Sequence, residues 1–343
     1  MPEPNPAGPN PAGPNAAQPF PGLLLTGATG FVGRALQQHL LVDRPNPPPI
    51  DPQSTEQPST RVPRVTALVR DTTTARRAEL HPSVRQQAMP LTSSAAWSEL
   101  LQAHPDWPIL LLAGSVRGRS YADFEAANVE IVRAATEALG EQSQPPPILL
   151  ISSLAASQPE LSHYAASKFA GEQLLRQTDL PWTILRPTAV YGCGDEELAS
   201  LFRSVRAGLV PRTGPADQRL SFIHVTDLCR AIEAWLGAPA AVSRQGYSLD
   251  DGTPGGYSWT ELAAAIAPQG RKLQFGIPRP VLVTLAHLNL ALSHLLGYQP
   301  MLTPGKTREL CYPRWLCDNA PFTSACGWHP TTELSQGVAD YFS

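Results

Sequence analysis

The sequence predicts an α/β protein, a doubly wound parallel sheet followed by a smaller C-terminal lobe. Short apolar runs of strand length alternate with helix-length amphipathic stretches over residues 22–185, the order that gives parallel strands joined by crossover helices. The first run, Leu23-Leu24-Leu25, enters a turn carrying Gly27, Gly30 and Gly33, and an amphipathic pattern of Val32, Leu36 and Leu40 leaves it. A chain of 343 residues, 42% of them hydrophobic, is long enough to bury one large core and an added lobe.

In chain order, the first 21 residues carry eight prolines and lack a basic start followed by an apolar core. They are expected to be a disordered tail, neither secretory signal nor membrane anchor. The strand, glycine turn and helix that follow form a dinucleotide site: glycines permit the tight turn and the close approach of a pyrophosphate, and the free N–H groups of the helix start face its oxygens. Residues 43–63, with seven prolines, read as a surface insertion before the second strand, 64–69. Arg70 ends that strand where an adenosine ribose is met, and a guanidinium there favours NADP(H) through charged hydrogen bonds to a 2′-phosphate. Asp71, one step later, keeps NAD(H) as the alternative. A weak third strand at 84–89, a helix at 97–103, a buried strand at 107–112 and a long helix at 121–139 continue the alternation. The strand 148–151 then delivers Ser152 and Ser153.

Tyr164 and Lys168 follow eleven residues after Ser153, four apart and so on one helical face. A phenol of ordinary pKa, roughly 10, is a poor acid or base near neutrality. A neighbouring ammonium and a positively charged nicotinamide favour the phenolate and draw that pKa down. Tyr164 can then exchange a proton with a carbonyl or alcohol oxygen while a serine hydroxyl holds the same oxygen. With eight tyrosines and three lysines in the chain, such a pair placed directly after a serine-ended strand is seldom met by chance.

The wording Thr-Gly-Ala-Thr-Gly-Phe-Val-Gly (26–33) together with Tyr164-x-x-x-Lys168 resembles the extended branch of the short-chain dehydrogenase/reductase superfamily, the NAD-dependent epimerase/dehydratase group. The resemblance implies a Rossmann-type domain over 22–187 and a substrate lobe over 188–343, with 219–251 returning to the sheet. It places Gly27, Thr29, Gly30, Phe31, Val32 and Gly33 on the cofactor, with Ala113, Gly114 and Pro187 beside it, and makes Ser153, rather than Ser152, the active-site hydroxyl. Asn128, in the 121–139 helix, is similar to the family asparagine that holds a water or the lysine near the site. Thr188 and Arg219 are expected near the substrate, and Asp227 as a structural residue or helix cap. The acidic residue that relatives carry after the third strand is replaced here by Pro90-Leu91. The end, 302–310 with Trp315 and Gly327-Trp328-His329-Pro330, resembles dihydroflavonol reductases and 3β-hydroxysteroid dehydrogenases. The resemblance also implies a homodimer through 121–139 and 161–177.

Three readings compete: a carbonyl reductase or alcohol dehydrogenase acting on a small-molecule substrate, a nucleotide-sugar epimerase with retained NAD, and a non-catalytic dinucleotide sensor. Thr188 stands where epimerases often carry an asparagine, and Leu154-Ala155 replace the Asp-Glu pair of dehydratases. A sensor would tend to lose the tyrosine or lysine. The reductase reading is therefore favoured.

A net charge of −3 gives no reason to expect nucleic acid or an anionic membrane as partner. Five scattered cysteines suit a reducing cytoplasm, and Cys311, Cys317, Cys326 and His329 have no zinc-site spacing, so no metal is expected. The stretch 281–296, the most apolar after the sheet, is interrupted by Thr284, His287, Asn289, Ser293 and His294. It is too short and polar to span a bilayer, and reads as an amphipathic helix of the second lobe, with a lid or interfacial helix as the alternative.

Overall fold

The computed structural model describes residues 20–41, 64–70 and 80–342. The proline-rich tail, except its last two residues, and the 43–63 insertion lie outside them, as does Asp71. Seven strands form one parallel sheet: β1 (Gly22–Thr26), β2 (Arg64–Val69), β3 (Arg85–Ala88), β4 (Ile109–Leu111), β5 (Ile148–Ile151), β6 (Trp182–Pro187) and, after three strands outside this sheet, β10 (Gln245–Leu249). Their order is β10-β6-β5-β4-β1-β2-β3. The remaining strands make two small parallel sheets, β7 (Ala189–Tyr191) with β9 (Phe222–His224) and β8 (Leu209–Arg212) with β11 (Leu273–Gly276).

The inner strands read as unbroken apolar runs because helices cover both faces. On one face α1 (Phe31–Leu41) joins a core that includes Leu23, Leu25, Leu36 and Leu40. On the other, α2 (Ser94–Ala103) brings Trp97 into a core with Leu24, Ile109 and Leu111. In place of the single predicted helix 121–139 there are two, α3 (Tyr121–Asn128) and α4 (Glu130–Gly140), broken at Val129 with φ −117°. The break sits where α5 (His163–Arg176) crosses: a Cβ on Gly171 would lie 2.5 Å from the Asn128 carbonyl. The turn after β3 is filled by core contacts, with Leu91 buried and its carbonyl accepting from Trp97 Nε1 at 2.8 Å.

The C-terminal lobe has its own core of Tyr191, Phe202, Phe222, Tyr257 and Trp259. Its helices are α6 (Ala199–Arg206), α7 (Val225–Gly237), α8 (Trp259–Ile266), α9 (Arg279–Leu296), α10 (Pro304–Leu310), α11 (Ala320–Cys326) and α12 (Leu334–Tyr341); α7 also packs with α1 against the main sheet. Asp227, read from the sequence as a structural residue or helix cap, has a structural part: it lies inside the first turn of α7 rather than at its cap, fully buried. Its carboxylate accepts from Thr331 N and Thr332 N at 3.0 Å each and from Arg230, so it ties the C-terminal segment to the helix. The N-cap is His224.

Removing a buried carboxylate strands its donors. Asp227→Ala should lower the unfolding free energy by about 3 kcal/mol, as measured by urea denaturation.

Candidate active site

All seven strands of the main sheet run in one direction, so their C-terminal ends meet along one edge. The strand order reverses between β1 and β4, where the connections leave in opposite directions and open a crevice. A cleft of about 880 Å³ occupies this edge, lined after β1 by Gly27 and Gly30, after β4 by Leu112 and Gly114, after β5 by Ser152 and Ser153, and at the end of β6 by Pro187 and Thr188.

The first wall is the glycine turn. Gly27 has φ +71°, a left-handed conformation that favours glycine, and a Cβ there would strike Ala113 N at 2.6 Å. A Cβ on Gly33 would lie 2.3 Å from the Gly27 carbonyl, so α1 is pressed against the turn itself. The Gly30 position meets only Gly27 O, at 3.3 Å, and borders the cleft with Phe31 and Val32. This cradle, the start of α1 behind it and the buried, unpartnered Thr188 Oγ1 fit a nicotinamide dinucleotide laid from glycine turn to β6. Thr29 stands behind the wall, its carbonyl accepting from Arg34 Nη1 at 3.0 Å. Ala113 N donates to Thr26 Oγ1 at 3.0 Å, which fixes the end of β4. Arg70 is exposed just beyond β2.

The floor carries Ser153, Tyr164 and Lys168. Ser153 follows β5 and Tyr164 lies in the first turn of α5; the phenol and the Ser153 hydroxyl are hydrogen-bonded. Burial raises the Tyr164 pKa, and the Ser153 bond and the Lys306 charge offset this only in part. The depression expected from the sequence is therefore not a property of the protein groups alone, because desolvation of the phenolate dominates. Lys168 is buried, donates to Ile151 O at 3.1 Å, and is lowered by burial to about 8 against the pull of Glu172. Ser152 turns away and donates to Glu172 Oε1 at 2.6 Å. That carboxylate, fully buried, also accepts from Arg186 Nε at 2.7 Å, so the arginine of the Arg186-Pro187 pair anchors α5 to β6.

Two expectations need correction. Asn128 is buried, but its amide bonds Ser115 N and O, both at 3.1 Å, and Ser167 Oγ at 2.9 Å. It holds the loop after β4 against α5 rather than bonding Lys168 directly; both side chains converge on Gly114, where a Cβ would lie 2.7 Å from Asn128 Oδ1 and 2.9 Å from Lys168 Nζ. Arg219 does not line the cleft: its guanidinium turns outward to Glu261 Oε2 at 2.6 Å, because its backbone is zipped to Pro313 and Trp315.

The opposite wall is built by the C-terminal lobe. Helix α10 docks on the start of α5, with Gly305 against Ser162 and Arg308 Nε donating to Leu161 O at 2.7 Å. Glu309 is buried, hydrogen-bonded by the Ser162 hydroxyl and by Lys306 Nζ at 2.8 Å. Burial alone would lower the Lys306 pKa, but the Glu309 carboxylate outweighs it and holds the ammonium charged beside Tyr164. The rest of this wall is largely apolar, with Leu198, Leu220, Phe222, Leu290, Met301 and Trp315. The residues 302–310 were visible as a resemblance, but nothing in their spacing brings Lys306 to Tyr164.

Comparisons with known proteins agree with this geometry. The chain is 31% identical over 300 residues to the ceramide reductase of Caulobacter vibrioides, covering 87% of this chain and 86% of that protein. Among solved structures, the UDP-glucuronic acid 4-epimerase of Bacillus cereus, in complex with UDP-glucuronic acid and NAD, superposes with a TM-score of 0.64 at 16% identity over 93% of this chain and 97% of that one. The NAD complex of a dTDP-glucose 4,6-dehydratase from Bacillus anthracis gives 0.63 at 13% identity over 93% and 94%. The model of the NAD-dependent epimerase/dehydratase family matches residues 23–248, and the chain is a member of that family.

Proposed function

We propose that this protein is an NADPH-dependent reductase of a lipid-like carbonyl, with Ser153, Tyr164 and Lys168 as its catalytic residues. The observation that carries the reading is the meeting of Ser153, Tyr164 and Lys168 on the floor of a cleft whose substrate wall is lined by leucines, Phe222, Met301 and Trp315. An apolar wall suits a long hydrocarbon substrate better than a nucleotide sugar. The similarity to a protein named ceramide reductase points the same way.

The chain's own groups divide the work. The glycine turn and the start of α1 bind the pyrophosphate, and Thr188 Oγ1 and the loop at Pro187 border the nicotinamide end. A reduced nicotinamide held there supplies the hydride. Ser153 donates a hydrogen bond to the substrate carbonyl oxygen and polarises it. Tyr164, which burial holds protonated, gives its proton to the same oxygen as the carbon is reduced. Lys168, one turn on, favours the phenolate that remains. Arg70, with Arg34 near the glycine turn, would take the 2′-phosphate of NADPH.

Tyr164→Phe should reduce turnover of a long-chain ketone, such as a ceramide with a ketone in place of its secondary hydroxyl, by about 10²–10⁴-fold. NADPH binding by fluorescence titration should be unchanged. Dinucleotide analysis of the purified protein tests the reading as a whole: NAD retained through purification would overturn it in favour of an epimerase. Arg70→Asp should invert the preference from NADPH to NADH in the same titration. For pH, Lys168 is charged below about 8 and neutral above it, while Tyr164 stays protonated past its usual value. In the reductive direction kcat/KM should fall as pH rises through about 8, and Lys168→Arg should remove that limb from the profile.

A further inference from the structure

Helix α9 is built inside out for a soluble lobe. Val281, Leu285, Leu288, Leu292 and Leu295 recur at spacings of four and three, one stripe of the helix. That stripe faces solvent: Val281 is 46% exposed, Leu288 62%, Leu295 80% and the adjoining Leu296 65%. The side turned to the protein holds Leu282, Ala286 and Ser293. Strand β11, just before the helix, adds Leu273, 62% exposed, paired with the exposed Leu209 of β8. An exposed apolar helix stripe of this length marks an interaction site.

The charges around it say what kind. From residue 262 to residue 305 the chain has no Asp or Glu, yet it carries Arg271, Lys272 and Arg279, in a protein whose net charge is −3. Arg271 and Arg279 are exposed at the approach and start of α9. Two copies joined through this face would bring cations together with no acidic residue of the segment to oppose them. An anionic bilayer offers both an apolar layer for the leucines and negative headgroups for the flanking cations. Among the described residues no helix is long and apolar enough to cross a membrane, so α9 would lie along the surface.

We propose that α9 is a docking surface for an anionic phospholipid bilayer, seating the substrate cleft at the membrane. The same helix lines the cleft through Leu290, and Met301 just beyond it lines the cleft too. A lipid substrate would thus pass from the bilayer along an apolar wall to Tyr164 without its chains crossing water. The choice of a bilayer rests on the lipid-carbonyl reading above, but the binding itself does not require turnover.

The test is co-sedimentation of the full chain with vesicles of phosphatidylcholine alone or with phosphatidylglycerol. The expected result is binding to the anionic vesicles, weakened by salt, and weakened about tenfold or more in Leu288→Ser/Leu292→Ser/Leu295→Ser. Arg271→Gln/Lys272→Gln/Arg279→Gln should lose the preference for phosphatidylglycerol. Unchanged NADPH binding in both variants shows that the fold is intact. Two results overturn the proposal: wild-type protein that stays in the supernatant with anionic vesicles, or a vesicle-free dimer by analytical ultracentrifugation that the leucine variant converts to monomer. Vesicle binding without ketone reduction would leave the docking surface standing and remove the reductase reading; reduction without vesicle binding would do the reverse.

Discussion

The Ser162 hydroxyl joins the two halves of the protein. It accepts from Ala165 N at 2.9 Å, capping the helix that carries Tyr164 and Lys168, and is hydrogen-bonded to Glu309 of the C-terminal lobe. One side chain therefore starts the catalytic helix and fixes the substrate wall to it. Because Glu309 also pairs with Lys306, the lobe cannot shift without disturbing a buried charge, and buried charges left without partners are costly. The distance between cofactor wall and substrate wall is set by this joint.

A second buried charge fixes the other end of α5. Glu172 gathers Ser152 after β5 and Arg186 in β6, with Arg176 at 3.7 Å, so the helix is tied to the two strands whose ends enter the cleft. Lys168 lies one turn from it, held by the Ile151 carbonyl. The catalytic helix is thus clamped at its start by the lobe and along its length by the sheet. Such support from outside the reacting groups keeps a site in working geometry. It also explains why Ser152 and Ser153, neighbours in sequence, differ in use: successive residues of an extended chain point to opposite sides, one toward Glu172 and one toward Tyr164.

At Tyr164 and Lys168 burial outweighs pairing. Desolvation pushes Tyr164 up and Lys168 down, so the protein by itself favours a neutral phenol and weakens the ammonium. This is a suitable starting state for giving a proton to a carbonyl oxygen, and the wrong one for removing a proton from an alcohol.

What is local could be read from the residues alone. A glycine turn between strand and helix, a strand ending in serines and a Tyr-x-x-x-Lys pair are each written within a few residues, where backbone conformation and helical periodicity fix the geometry. The parallel sheet was legible for a related reason, since strands buried on both faces must be apolar throughout. The tertiary structure decided what depends on remote partners. Glu309, with Lys306 beside it, reaches Ser162 at the start of the catalytic helix across 147 residues of chain, Arg219 turns away from the cleft because Pro313 and Trp315 hold its backbone, and the 121–139 helix breaks where Gly171 crosses it. The stripe on α9 shows the limit most plainly: spacing reveals that a helix has an apolar face, but only packing decides whether protein covers that face or leaves it open.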